Sequence, residues 1–230
     1  MGTPGDVADQ VWIEGLEQSF SWDAVLRECA DPLARITGIL QHAALAGTVP
    51  RATLLCHLGE GAANLPELQE ELQSGPLYQL LQGAFAAAVG EGRDLLGNAT
   101  AVAHTAKAQA DMGICYAPFW EALQACHVDM WLRVKEDGGH SAATVLYAHA
   151  KLFEMGLVDA ADERLRHVFI TGLVKHADRM VYRDGGEDIL LSVWALGEED
   201  IHVGDDVLRS ITAVVERTRQ HLDELELVLF

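Results

Sequence analysis

Three histidines, His127, His149 and His167, fall on what read as three successive helices, and counting to the intervening turns puts them at one height. His127 lies 12 residues before Gly139 and His149 lies 10 after it, while His149 and His167 each lie 9 from Val158. At about 1.5 Å rise per residue, these offsets agree to within roughly one turn. Imidazoles that converge from separate helices are how a bundle holds a transition-metal ion. Across Pro118 the same count reaches the preceding helix near Lys107, where His104 and Asp111 bracket the level and Cys115 continues their face. The expected metal ligands are therefore His104, His127, His149 and His167. Asp111 and Glu163 are the carboxylates placed to complete the shell, orient a ring or act as acid–base groups.

The faces that carry these residues differ. His127 lies on the stripe Trp120, Leu123, Trp131 and Val134, and His149 shares a face with Val145, Leu146, Leu152 and Phe153. Both stripes have the spacing of a buried helix face. His167 has a more mixed face, with Glu163 before it and Ile170 and Val174 after it. A mixed set of histidine and carboxylate suits non-haem iron, whereas one axial histidine over an apolar pocket suits haem. A ferritin-like di-iron centre needs a Glu-x-x-His on each of two helices. The chain has only Glu199 to His202, in an apparent loop. A histidine on an apolar stripe also fits an ordinary core residue that bonds to a neighbouring helix.

Other patterns carry less chemistry. His176 lies on a stripe with Leu165, Phe169, Leu173 and Met180 and reads as structural. Leu54 to Gly59 resembles the Leu-Leu-His-Asp-Ile-Gly turn of HD-domain metal phosphohydrolases, but Leu58 stands where that family has its metal-bridging Asp. His57 and Glu60, three residues apart, are spaced to pair with each other. The acidic runs Asp184 to Asp188 and Glu198 to Asp206 read as caps at helix starts, where carboxylates meet free N–H groups. The cysteines Cys29, Cys56, Cys115 and Cys126 form no C-x-x-C pair, so a zinc knuckle or thioredoxin-type motif is not expected. Tyr116, Phe119, Trp120 and Trp131 gather aromatic area around Pro118, as core or as the lining of an apolar pocket.

The elements that must position these residues are helices. Ser21 precedes an amphipathic stretch through Arg27, Thr48-Val49-Pro50 opens a helix, and Gly75-Pro76 separates two more. The alanine-rich segment 98–116 favours helix, and Pro118 is expected to break or kink it. Further helices are predicted over about 118–135, from a Ser141 cap to near Gly156, over 160–182, 187–196 and 205–227. Only 225–230 alternates like a strand. Short loops between long helices predict antiparallel neighbours. The expectation is a single all-α domain spanning 1–230, an antiparallel helical bundle of about seven to nine helices, with 1–75 a looser subregion.

Composition limits the partners. With 35 acidic against 16 basic side chains, the net charge of −19 disfavours nucleic acid and anionic membrane surfaces. No run reaches the roughly 20 apolar residues that a membrane span needs. The first residues lack a secretory or myristoylation pattern, and the scattered cysteines suit a reducing cytoplasm. Half the residues are hydrophobic and mean hydropathy is +0.10, which supports a sizeable core and allows a homodimer.

The sequence thus favours a bundle enzyme with a buried His-rich iron site, of oxidoreductase type, acting on a small apolar or amphipathic molecule. One alternative is a non-catalytic helical module that binds a ligand or a protein. Another is a cofactor-independent lyase or cyclase using His and Asp as acid and base.

Overall fold

The computed structural model describes residues 31, 34, 36–38, 40, 48–63, 66–90, 99–125, 140–167, 170 and 187–218. Its regular elements are α1 (Thr48–Ala63), α2 (Pro66–Gln73), α3 (Gly75–Gly90), α4 (Ala99–Met112), α5 (Ala117–Ala125), α6 (His140–Glu154), α7 (Glu187–Glu198) and α8 (Asp205–Thr218). Residues 163–167 form a further helical turn, and no strand occurs among the described residues. The protein is an all-α helical bundle. The segments predicted at 21–27, 126–135, 171–182 and 219–230 lie outside the described residues.

Helix ends follow local chemistry more closely than alanine content. The helix predicted to reach Tyr116 stops at Met112, because Gly113 takes φ +63°. Its N–H bonds the Ala110 carbonyl at 3.2 Å, and the Ile114 N–H bonds that of Gln109 at 3.0 Å, the two bonds of a Schellman cap. The chain therefore turns before Pro118, which sits harmlessly in the first turn of α5. Gly156 (φ +69°) closes α6 in the same way. Asp200 (φ +50°) does so after α7, whose end at Glu198 lies two residues beyond the predicted one. At the other end of α6, the helix opens at His140, and Ser141, the expected cap, is buried.

Packing also departs from simple up-and-down neighbours. Among the described residues the most extensive contacts join α1 to α4, α4 to α6 and α6 to α7, so these four helices form a row. Small residues make this possible. A Cβ on Gly59 of α1 would lie 3.0 Å from the Ala108 Cα and 3.1 Å from the Asp111 Cβ. The two backbones approach where neither carries a bulky side chain. Helix α4, buried through Ala101, Val102, Ala103, Ala106, Ala108 and Ala110, is enclosed from both sides of the row.

Two hydrophobic clusters result, and α4 contributes to both. One joins Phe119, Trp120 and Leu123 to Val145, Leu146, Leu152, Ile189 and Leu196. The other joins Leu55, Leu58, Leu72, Leu81 and Phe85 to Ala108, Met112 and Ile114, and Tyr116 packs against both. Each large side chain fully withdrawn from water contributes roughly 1.5–3 kcal/mol. Two buried polar side chains tie elements together. Gln109 accepts the Tyr116 N–H at 2.7 Å and the Trp120 indole N–H at 3.1 Å, which fixes the turn into α5. Arg51 reaches from α1 to the Ala87 carbonyl of α3 at 3.0 Å.

Candidate functional site

His149 projects from α6 into the first cluster, as its apolar stripe predicts, and is 2% exposed. Its ring meets the Trp120 indole edge-on, with centroids 5.0 Å apart. Its Nδ1 lies 2.6 Å from Oε1 of Glu199, in the turn that follows α7. The second Glu199 oxygen accepts the Ala161 N–H at 2.9 Å. One buried carboxylate therefore ties three segments together: α6, the turn after α7, and the chain leading into residues 163–167. In the sequence Glu199 stands out only as half of the Glu199–His202 pair, and its acidic neighbourhood reads as helix-start capping. The structure corrects that reading, since Glu199 lies beyond a helix end and faces inward.

The other predicted site residues are dispersed. His104, half-buried on α4, places Nδ1 3.3 Å from the Thr53 hydroxyl of α1. Asp111 accepts from Lys107 one turn earlier on the same helix, at 2.6 Å. His167 and Glu163 are exposed on the short helical turn that Asp162 caps through the Leu165 N–H at 2.8 Å. That turn sends Leu165 inward instead. His127 lies outside the described residues. Among the described residues, no group of three or more His, Cys, Asp or Glu side chains is arranged to hold a metal ion. Counting along the chain gives height, but helix rotation decides which way a side chain faces.

A second polar cluster joins α1 to α4. Lys107 bonds Asp111 and also Glu60 Oε1 at 3.1 Å, while Glu60 Oε2 lies 3.2 Å from His57 Nδ1, the pairing their spacing predicts. The bond from His57, helped by the Lys107 charge against the effect of burial, holds the Glu60 carboxyl down to about 2. Burial pushes Asp111 up, with Lys107 opposing it. Burial, reinforced by the charge of His57, lowers His104, and burial pushes the Cys56 thiol up to about 12. Every charge in this cluster has an opposite partner, and the thiol is buried, so the arrangement is that of a packing brace. Asp188, in the first turn of α7, likewise pairs with half-exposed His140 at 2.8 Å. Its other oxygen is buried without a hydrogen-bond partner among the described residues.

Among the described residues, a recess lies beside the Glu199 turn. A cavity of about 550 Å³ opens between the end of α7, residues 200–203 and α8. Its walls are Val193, Leu196, Ile201, Val203, Leu208 and Ile211, and Asp200, His202, Thr212 and Glu216 supply the polar groups. Gly197 lines it without a side chain, and a Cβ added there would meet nothing within 4 Å. On α8, Leu208, Ile211 and Thr212 share one face by helical spacing. Ile211 is buried, but Leu208 remains 49% exposed. Glu199 points away from the cavity toward His149, and so pins the turn whose next residues form its wall.

The volume is that of a small-molecule site, typically 300–1,000 Å³ with apolar walls and few polar groups. Among the described residues no helix is long and apolar enough to cross a membrane. Compared with protein-family models, with curated proteins and with solved structures, the chain matches none of them.

Proposed function

We propose that this protein is a helical module that binds a small apolar or amphipathic molecule in the cavity between α7 and α8. The observation that carries this reading is the cavity itself: about 550 Å³, walled by six aliphatic side chains, with its polar groups confined to a few positions. His149 and Glu199 are positioning residues that hold the turn forming one wall. Calorimetric titration of the full chain with 1-octanol tests it. Burial of the alkyl chain is expected to give saturable binding with a negative heat-capacity change. Gly197→Leu is the decisive variant, because the side chain enters open space while leucine favours helix by about 0.8 kcal/mol over glycine. Loss of octanol binding in a variant that melts no lower than the parent supports the reading. Unchanged binding in that variant contradicts it.

A second reading keeps the iron-dependent oxidoreductase, and one observation favours it. A carboxylate on one ring nitrogen is how proteins orient a metal-ligating histidine. Glu199 bonds Nδ1 of His149, as such an orienting carboxylate would. Metal analysis of the purified chain, with a visible spectrum, tests this. Stoichiometric iron lost in His149→Ala supports it, and a metal-free protein removes it.

A further inference from the structure

We infer that the ligand of the α7–α8 cavity carries a cationic head on its apolar body, as a lipophilic amine does. This rests on the cavity being a binding site and names what that site selects. Among the described residues lining it, the ionisable groups are Asp200, Glu216 and His202, with no lysine or arginine. Arg209, next to the lining residue Leu208, directs its Nε to the Asp205 carbonyl at 3.0 Å. The two carboxylates come from different elements, Asp200 from the turn and Glu216 from α8, so both sides of the cavity present negative charge. The contact between Asp200 and its neighbour His202 is long, at 4.0 Å, and both side chains stand in solvent.

Apolar walls with carboxylates at two sides discriminate between heads on the same tail. An ammonium can stay hydrated at the opening and still lie near Asp200 and Glu216. A carboxylate head in that place meets like charge, and so specificity arises partly by repulsion. The net charge of −19 acts in the same sense at longer range, concentrating cations and excluding anions. Asp200 also holds a left-handed backbone (φ +50°) at a helix end where glycine would serve, and so keeps a carboxylate beside the cavity.

The test is calorimetry of the full chain with three eight-carbon probes: 1-octylamine, 1-octanol and octanoate, at neutral pH and at two salt concentrations. Octylamine is expected to bind about twofold to thirtyfold more tightly than octanol, the range two exposed ion pairs supply. Octanoate is expected to bind more weakly than octanol. Added salt should shrink the octylamine advantage and leave octanol unchanged. The double variant D200N/E216Q should bring octylamine to the affinity of octanol. Equal affinity for the three probes, or a preference for octanoate, overturns the cationic head while leaving the cavity as a binding site. Binding of none of them overturns both.

Discussion

Nδ1 of His149 lies 2.6 Å from Oε1 of Glu199, with the two side chains 3% and 0% exposed. Buried groups of this kind stabilise little on balance but are costly to break, because the abandoned partner stays out of water. Glu199→Ala removes the carboxylate that bonds both His149 and the Ala161 N–H. The expected loss is roughly 3 kcal/mol by urea unfolding, with octanol binding weakened as the cavity wall loosens. Glu199→Gln should fall between the two, since its amide oxygen can keep one of the two bonds. A loss under about 0.5 kcal/mol for the alanine variant, the range of an ordinary surface site, would show that the pair pins nothing.

Close approach of α1 and α4 depends on Gly59. Adding one methyl group places a carbon 3.0 Å from backbone at Ala108, so the helices must part. Overpacking of this kind costs about 1–3 kcal/mol, against a helix-propensity gain of about 1. Gly59→Ala is therefore expected to lower stability by up to about 2 kcal/mol. Gly83→Ala provides the control, as a Cβ there meets nothing within 4 Å. It should raise stability by up to about 1 kcal/mol, measured in the same unfolding experiment.

Glu60 makes the brace between α1 and α4 sensitive to acid. Its folded-state carboxyl is held at about 2, below its usual 4.5. Stability from this group is present above pH 4.5 and is lost as pH falls toward 2. Asp111, pushed up by burial, works in the opposite direction, so the comparison must isolate Glu60. Wild-type protein should lose more stability than Glu60→Gln across that window. The difference is expected to reach at most about 1 kcal/mol, because the half-exposed pair is screened. Parallel curves for the two proteins would contradict the assignment.

Thiol chemistry should follow burial. With its proton held up to about 12, Cys56 offers almost no thiolate at neutral pH. Peptide mapping after brief alkylation should find Cys56 unmodified in native protein and modified after unfolding. Rapid native labelling of Cys56 would mean that α1 opens away from its neighbours.

What the chain disclosed about itself was mostly local. The openings of α1 at Thr48 and α3 at Gly75 are written in turn and cap residues, and so is the end of α6 before Gly156. Each depends on neighbours within four or five residues. His149 was legible as buried for the same reason, through Val145 and Leu152 one turn to either side. Its partner was not, because Glu199 lies 50 residues away in a turn, where periodicity carries no signal. Gly113 was passed over because alanine content spoke for a longer helix. The outward orientation of His167 depends on helix rotation, which residue counting does not give. The cavity depends on a gap between α7 and α8 and on a side chain that Gly197 lacks, features of spacing rather than of pattern.

Amide chemical-shift mapping of the full chain during titration with 1-octanol tests the cavity most directly. The expected result is saturable shifts concentrated at Val193, Leu196, Gly197, Ile201, Val203 and Ile211, the residues that wall it. Shifts that fail to saturate, or that centre on α1 and α4 around His57 and Lys107, would contradict a ligand site between α7 and α8.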